Sequence, residues 1–466
     1  MDVRRRGIVF LVLLTIGCSS MDARPDLERA RQEIATRSGV TVDWTLDADQ
    51  AEGFQRWLVA KLAEPLSMDA AVAISLLNNP KLRSHFREIG IARSDLVAAG
   101  LPDNPAFSVE RRFRGTAAEF DIAQEFLGLL LIPLRKKVAE SEFERERLKV
   151  TQEVWEHVAE VRAAYIHLQA SEQLLEMRQG VADALSASLT AVRALRAAGN
   201  IGILEVALEE QAEGRSRIEL AEADLGVVES RERVNVLLGL SGAETEWRMA
   251  GRLPRLPRNE LEFAELERLA VSERLDLASA KAEVEALSQA QELTRITSII
   301  PEFGIGAHSE REPEGETTRG PSISFPIPLF DFGGTERARA KYRLLQAQDR
   351  YAALAIKIRS DVRGTFARMS VARSKVEYFE RNLLPAYQRA TDESQLLYNG
   401  MFLGVVSLVQ AKRQQIDAAR DYLQAVSDYW ITRTELEQVV GRRLPTGELL
   451  QVELESPRPK ISAHHH

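Results

Sequence analysis

From Thr335 to Asn399, apolar or small residues recur in steps of three and four: Leu344, Ala347, Tyr351, Leu354, Ile358, Val362, Thr365, Met369, Ala372, Val376, Phe379 and Leu383. That spacing is a coiled-coil seam and predicts one uninterrupted helix. At about 1.5 Å per residue it would run roughly 95 Å, far more than a compact domain needs. Just upstream the period is two. Phe303, Ile305 and Ala307 alternate with Gly304, Gly306 and His308, and Ile323, Phe325 and Ile327 alternate with Ser322, Ser324 and Pro326. This pattern predicts two strands with one apolar face each. Pro328 closes the second strand, and Gly333-Gly334 lets it turn into the helix. No Lys-Ser/Thr follows the glycine pair, so it is not a phosphate loop.

The same plan occurs earlier in the chain. A helical pattern from Met68 ends at Gly100-Leu101-Pro102, and strands follow through Phe107, Val109 and Phe113 and through Phe120, Ile122 and Phe126. Pro133 closes the second of these, a long helical pattern runs from Arg135 to Ala198, and a return helix from about Ile203 stops at Gly239. Pro102 with Pro301, Pro133 with Pro328, Gly199 with Gly400 and Gly239 with Gly441 lie about 200 residues apart, which predicts a tandem duplication. The expected divisions are an export signal over 1–17, a leader over 18–65, a first repeat over 66–240 with its hairpin at 105–127, and a linker over 241–263. A second repeat over 264–443 has its hairpin at 302–328, and a tail over 444–466 ends in what reads as a tag remnant, His464 to His466.

Arg4-Arg5-Arg6 followed by Ile8 to Ile16 is a charged segment and an apolar core too short to span a bilayer, as in a signal peptide. Its end, Leu14-Thr15-Ile16-Gly17-Cys18, resembles a bacterial lipobox, with Thr15 where that pattern prefers Leu. Cys18 is the sole cysteine, which excludes a disulfide framework and marks it as the lipidation candidate. Ser19 and Ser20 follow it, which points the anchor to the outer membrane. With 61 Lys+Arg against 69 Asp+Glu and no basic stripe, a nucleic-acid footprint is not expected. His85, His157, His167 and His308 are scattered, and His157 and His167 are not at the spacing of neighbouring ligands, so neither metal nor cofactor is expected. No nucleophile or acid pair suggests an enzyme.

Each half thus supplies two strands of about nine residues, the length of a tilted membrane-spanning strand. Four strands cannot close, and open edges are not tolerated in hydrocarbon, so several chains must share one barrel. Three would give twelve strands.

Leu101-Pro102-Asp103-Asn104-Pro105, the exit Ile327-Pro328-Leu329-Phe330-Asp331-Phe332-Gly333-Gly334, and Leu384-Pro385 leading to Tyr398-Asn399-Gly400 together resemble the TolC-like outer-membrane efflux factors, over nearly all of the mature chain. The resemblance implies an α+β membrane protein. Its homotrimer forms a twelve-stranded barrel in the outer membrane, continuous with an α-helical coiled-coil periplasmic tunnel. It also implies a passive conduit that docks a periplasmic adaptor and an inner-membrane pump and is embedded in outer-membrane lipid. The turns at Gly199 and Gly400 would then be the periplasmic tips, where the family places a Tyr before the second turn and basic and acidic residues after it. Tyr398 and Gly400 match, but Met401 to Gln410 holds no charge, so closure by Phe402, Leu403 and Val406 is expected, with an acidic ring drawn from Glu205 or Glu209. A solvated-surface role for the two glutamates stays open. So does a rival reading of the whole chain, a lipid-anchored periplasmic coiled-coil adaptor or scaffold. Gly100 to Pro105 looks like the metal-cation branch of the family, with export of drugs or other small molecules equally admissible.

Overall fold

The computed structural model describes residues 21–41, 51–111, 118–298, 304–311, 315–324 and 330–445. Cys18, Phe113, Phe303, Pro328 and the tail beyond 445 lie outside them. The described elements are, in order, α1 (Arg24–Ser38), α2 (Ala51–Ala63), α3 (Met68–Asn78), α4 (Pro80–Ala99), β1 (Ala106–Arg111), β2 (Ala118–Glu125), α5 (Phe126–Ala197) and α6 (Ile203–Leu238). Then come α7 (Phe263–Glu273), α8 (Leu275–Thr297), β3 (Gly304–Arg311), β4 (Thr317–Ser324), α9 (Gly334–Tyr378), a π-helical turn (Phe379–Leu383), α10 (Leu384–Asn399) and α11 (Val405–Val440). No helix among the described residues is long and apolar enough to cross a membrane.

The contacts divide the chain into two units, and each draws on both halves of the sequence. The first unit (Met1–Glu33, Ser84–Gln152, Leu275–Ile356) holds the sheet. Its four strands lie in the order β1-β2-β3-β4, all antiparallel, so the two hairpins join through β2 and β3. Phe107 faces Ile122, Ile122 faces Ala307, and Ile305 faces Ile323. On that face Phe107, Val109, Phe120, Ile122, Ile305 and Ile323 are all exposed, an apolar surface that the chain itself leaves uncovered.

The second unit (Ile34–Arg83, Glu153–Arg274, Lys357–His466) holds a helical core that includes Trp155, Tyr165, Leu168, Leu238 and Tyr429. Its two halves repeat one device. The chain turns extended at Asn79 after α3 and at Arg274 after α7, and against each break stands the glycine that ends a return helix. Gly239 (φ +71°) and Gly441 (φ +89°) are left-handed, and a Cβ there would stand 3.0 Å from the Asn78 carbonyl oxygen and 3.2 Å from that of Glu273. Glycine alone satisfies both the conformation and the close approach. Asn78 donates to the carbonyl of Gly239 (2.8 Å), while Arg37 donates to those of Glu273 (2.6 Å) and Gly441 (2.7 Å). His157 is buried and satisfied, 2.7 Å from the Ser75 hydroxyl, which donates to the Leu237 carbonyl.

Several expectations need correction. The leader, given no secondary structure from its sequence, holds two helices: α1 and α2 bury Ala30, Ile34, Leu58 and Leu62, apolar positions four residues apart in each helix. The helix from Met68 breaks before Pro80, whose ring disfavours helical backbone at Asn79. Pro133 does not mark the strand exit, because β2 ends at Glu125, α5 starts at Phe126, and Pro133 lies inside the helix. Its missing N–H leaves a carbonyl without its intrahelical donor in that turn, and Arg135 donates to the neighbouring Gly128 carbonyl and to that of Leu101. The long second helix is interrupted: ahead of Pro385 the ladder widens into a π-turn, with the Leu384 amide bonded to the Phe379 carbonyl.

Candidate functional site

Three places on the chain carry the residues of interest. The first is the polar face of the sheet. Because side chains alternate along a strand, the residues opposite the apolar surface form cross-strand rows of their own. One row runs Ser108, Asp121, His308, Gly320, and the next runs Glu110, Glu119, Glu310, Thr318. His308 Nδ1 lies 2.7 Å from Asp121 Oδ1 and 3.6 Å from Glu119 Oε1, and its Nε2 lies 3.9 Å from Glu310 Oε2. Sequence reading left His308 as one of the scattered histidines. The period-two positions of β2 put Glu119 and Asp121 on a common face, but only the β2–β3 register brings His308 to them.

The second is the exit from β4 into α9. Gly333 is left-handed (φ +75°), and a Cβ there would meet Ser298 Cβ at 2.4 Å, so the turn is built on close backbone approach. Asp331 accepts from the Thr335 hydroxyl and from the Gly334 amide at 2.8 Å. The Thr335 hydrogen bond, followed by the amides of that first turn, holds its carboxyl below the usual carboxylate range. On either side Phe330 and Phe332 are thrown into the open.

The third is the pair of helix-reversing turns, both in the second unit. In the first, Gly199 has φ +78°, the Asn200 amide bonds the Leu195 carbonyl, and Gly202 precedes α6. Glu205 sits half-buried in the first turn of α6, where a negative charge meets the positive end of the helix dipole. Glu209 is buried within the chain at 3% exposure, and its Oε1 has no hydrogen-bond partner. In the second turn the left-handed residue is not Gly400 (φ −80°) but Met401 (φ +62°). Met401 and Phe402 are almost fully exposed, Tyr398 is 37% exposed, and Leu403 and Val406 are half-buried, so the chain presents an apolar tip here.

Residues 266–442 match the family described as outer membrane efflux protein. Over 389 residues the chain is 21% identical to the cobalt-zinc-cadmium resistance protein CzcC of Cupriavidus metallidurans, covering 82% of this chain and 91% of that one. The fold is similar to that of a membrane protein from Pseudomonas aeruginosa, with TM-score 0.69 and 16% identity over 80% of this chain and 92% of that one. It is equally similar to the CmeC outer membrane channel of Campylobacter jejuni, with TM-score 0.69 and 13% identity over 82% of this chain and 87% of that one. A long-helix chain with one small antiparallel sheet thus carries an outer membrane efflux protein match over residues 266–442 and shares its fold with outer-membrane channels over most of its length.

Proposed function

We propose that three copies of this outer-membrane efflux channel protein close a twelve-stranded barrel and form the passive exit duct of a tripartite exporter, together with a periplasmic adaptor and an inner-membrane pump. The observation that carries the reading is the sheet: four antiparallel strands, β1 and β4 each paired on one side only, and an apolar face left exposed. In lipid those edges need partners, and further copies of the same sheet supply them while the apolar face meets hydrocarbon. The polar face, with Asp121 and His308, then lines the lumen. Phe330 and Phe332, open beside the exit turn, suit the aromatic girdle at the membrane boundary.

The two turns serve as periplasmic tips. Closure by apolar packing of Phe402, Leu403 and Val406 between copies fits their setting, since Phe402 finds no cover within its own chain. Of the two glutamates considered for an acidic ring, Glu205 is half-buried and Glu209 is buried, which favours Glu205. Lipidation at Cys18 and the repeat boundaries at 66–240 and 264–443 complete the reading. Divalent metal cations are the substrate class, because the curated relative is a cobalt-zinc-cadmium resistance protein.

Planar-bilayer recording tests the duct. The purified chain should insert and conduct with a preference for cations, and Glu205→Ala should reduce that preference. A protein that never conducts defeats the reading, and a Glu205→Ala channel with unaltered selectivity defeats the ring.

A further inference from the structure

The polar face of the sheet is electrostatically lopsided. Glu110, Glu119 and Glu310 stand in one cross-strand row, directly opposite one another, and Asp121 sits in the next. Like charges at facing positions destabilise a sheet. Among the described residues of that face, His308 is the only side chain able to carry positive charge. It stands in the middle of the group, with Asp121 on one side. On the other side its cross-strand neighbour is Gly320, where a Cβ would meet nothing within 4 Å, so the space beside the ring is open.

We propose that Glu119, Asp121 and His308 form an exchangeable binding site for a divalent transition-metal cation of the zinc or cobalt type, a station for cargo inside the barrel. This rests on the reading of the polar face as the lumen wall and of metal cations as the substrate class. The donor atoms of the three residues already lie within 4.8 Å of one another. Donors bound to one such ion stand about 3 to 4 Å apart, given metal–donor bonds near 2.1 Å, so side-chain torsions alone close the set. One imidazole nitrogen with carboxylate oxygens suits zinc and cobalt. Glu310, 3.9 Å from the other ring nitrogen, can fix the ring by accepting its N–H. The three side chains are between 26% and 34% exposed, so water completes the coordination and the ion leaves readily. A conducting wall needs sites of that kind, strong enough to be entered and weak enough to be left. A bound dication also offsets the repulsion among the facing carboxylates.

The test uses the full chain in detergent, with His464, His465 and His466 changed to alanine so that the terminal histidines do not compete. Cobalt chloride alone is titrated at neutral pH while the visible absorption of bound cobalt is followed, and zinc chloride is titrated by calorimetry. One saturable site per chain is expected, and His308→Ala or Glu119→Gln should weaken it by more than about tenfold. If His308→Ala disturbs assembly, Glu119→Gln, which keeps the shape of the side chain, decides. Binding that is absent, or equally strong in both variants, overturns the site. A chain that conducts in bilayers but binds no cobalt loses the site and keeps the channel reading, whereas a chain that fails to conduct loses the channel.

Discussion

Met401 adopts φ +62° in a turn where the glycine stands one residue earlier, at φ −80°. A non-glycine residue in that region costs on the order of 1 kcal/mol, and the exposed side chain of Met401 recovers little of it within the chain. Met401→Gly is therefore expected to stabilise the protein by about 1 kcal/mol, read as a raised denaturation midpoint, unless the side chain is gripped by neighbouring copies. No gain in the chain unfolded as a monomer would contradict the strain. This residue also shows what the sequence conceals. Tyr398-Asn399-Gly400 announces a reversal, but which residue of a turn goes left-handed depends on how the two helices meet. Likewise Glu209 reads as one more charge on a charged helix, and only the packing of α6 shows its carboxylate buried with one oxygen unpartnered.

At the scale of elements, α5 and α11 are tied through buried charge. Glu437, 5% exposed, accepts from Arg162 at 3.2 Å, from Arg433 at 2.7 Å and from the Leu444 amide at 3.2 Å. Arg162 also donates to the Ser38 carbonyl at 2.6 Å, which brings the end of α1 into the same knot. Removing one partner of such a group leaves the others buried without compensation. Glu437→Ala should cost about 3 kcal/mol or more in denaturant unfolding, and Arg162→Met combined with Glu437→Leu should cost less than Glu437→Ala alone. A double variant as damaged as the single one would contradict this account. Seams and strand faces were legible here because periods of 3.5 and 2 are carried by side-chain polarity itself: Leu344 to Val376 lie in helix, and Phe107, Val109, Phe120 and Ile122 lie in strand, where the pattern put them. Interruptions were less legible. Pro133 looks like a boundary yet is absorbed in α5, while Pro385 looks absorbed yet forces a π-turn, because each outcome depends on what else can satisfy the freed carbonyl.

For the whole molecule the informative quantity is what one chain leaves unfinished. A sheet with an exposed apolar face and edge strands β1 and β4 is not an end state for a protein in water or in lipid. The resemblance to outer-membrane efflux proteins was readable from the order of elements and a few landmark residues, since the physical need for shared closure is written in strand number and length. The Glu119, Asp121 and His308 cluster was not readable, because it forms where two hairpins from different halves of the chain pair. Native mass spectrometry of the detergent-extracted protein tests the central claim most directly. Particles of three chains are the result predicted, and a single chain that needs no detergent once Cys18 is replaced by serine would contradict it.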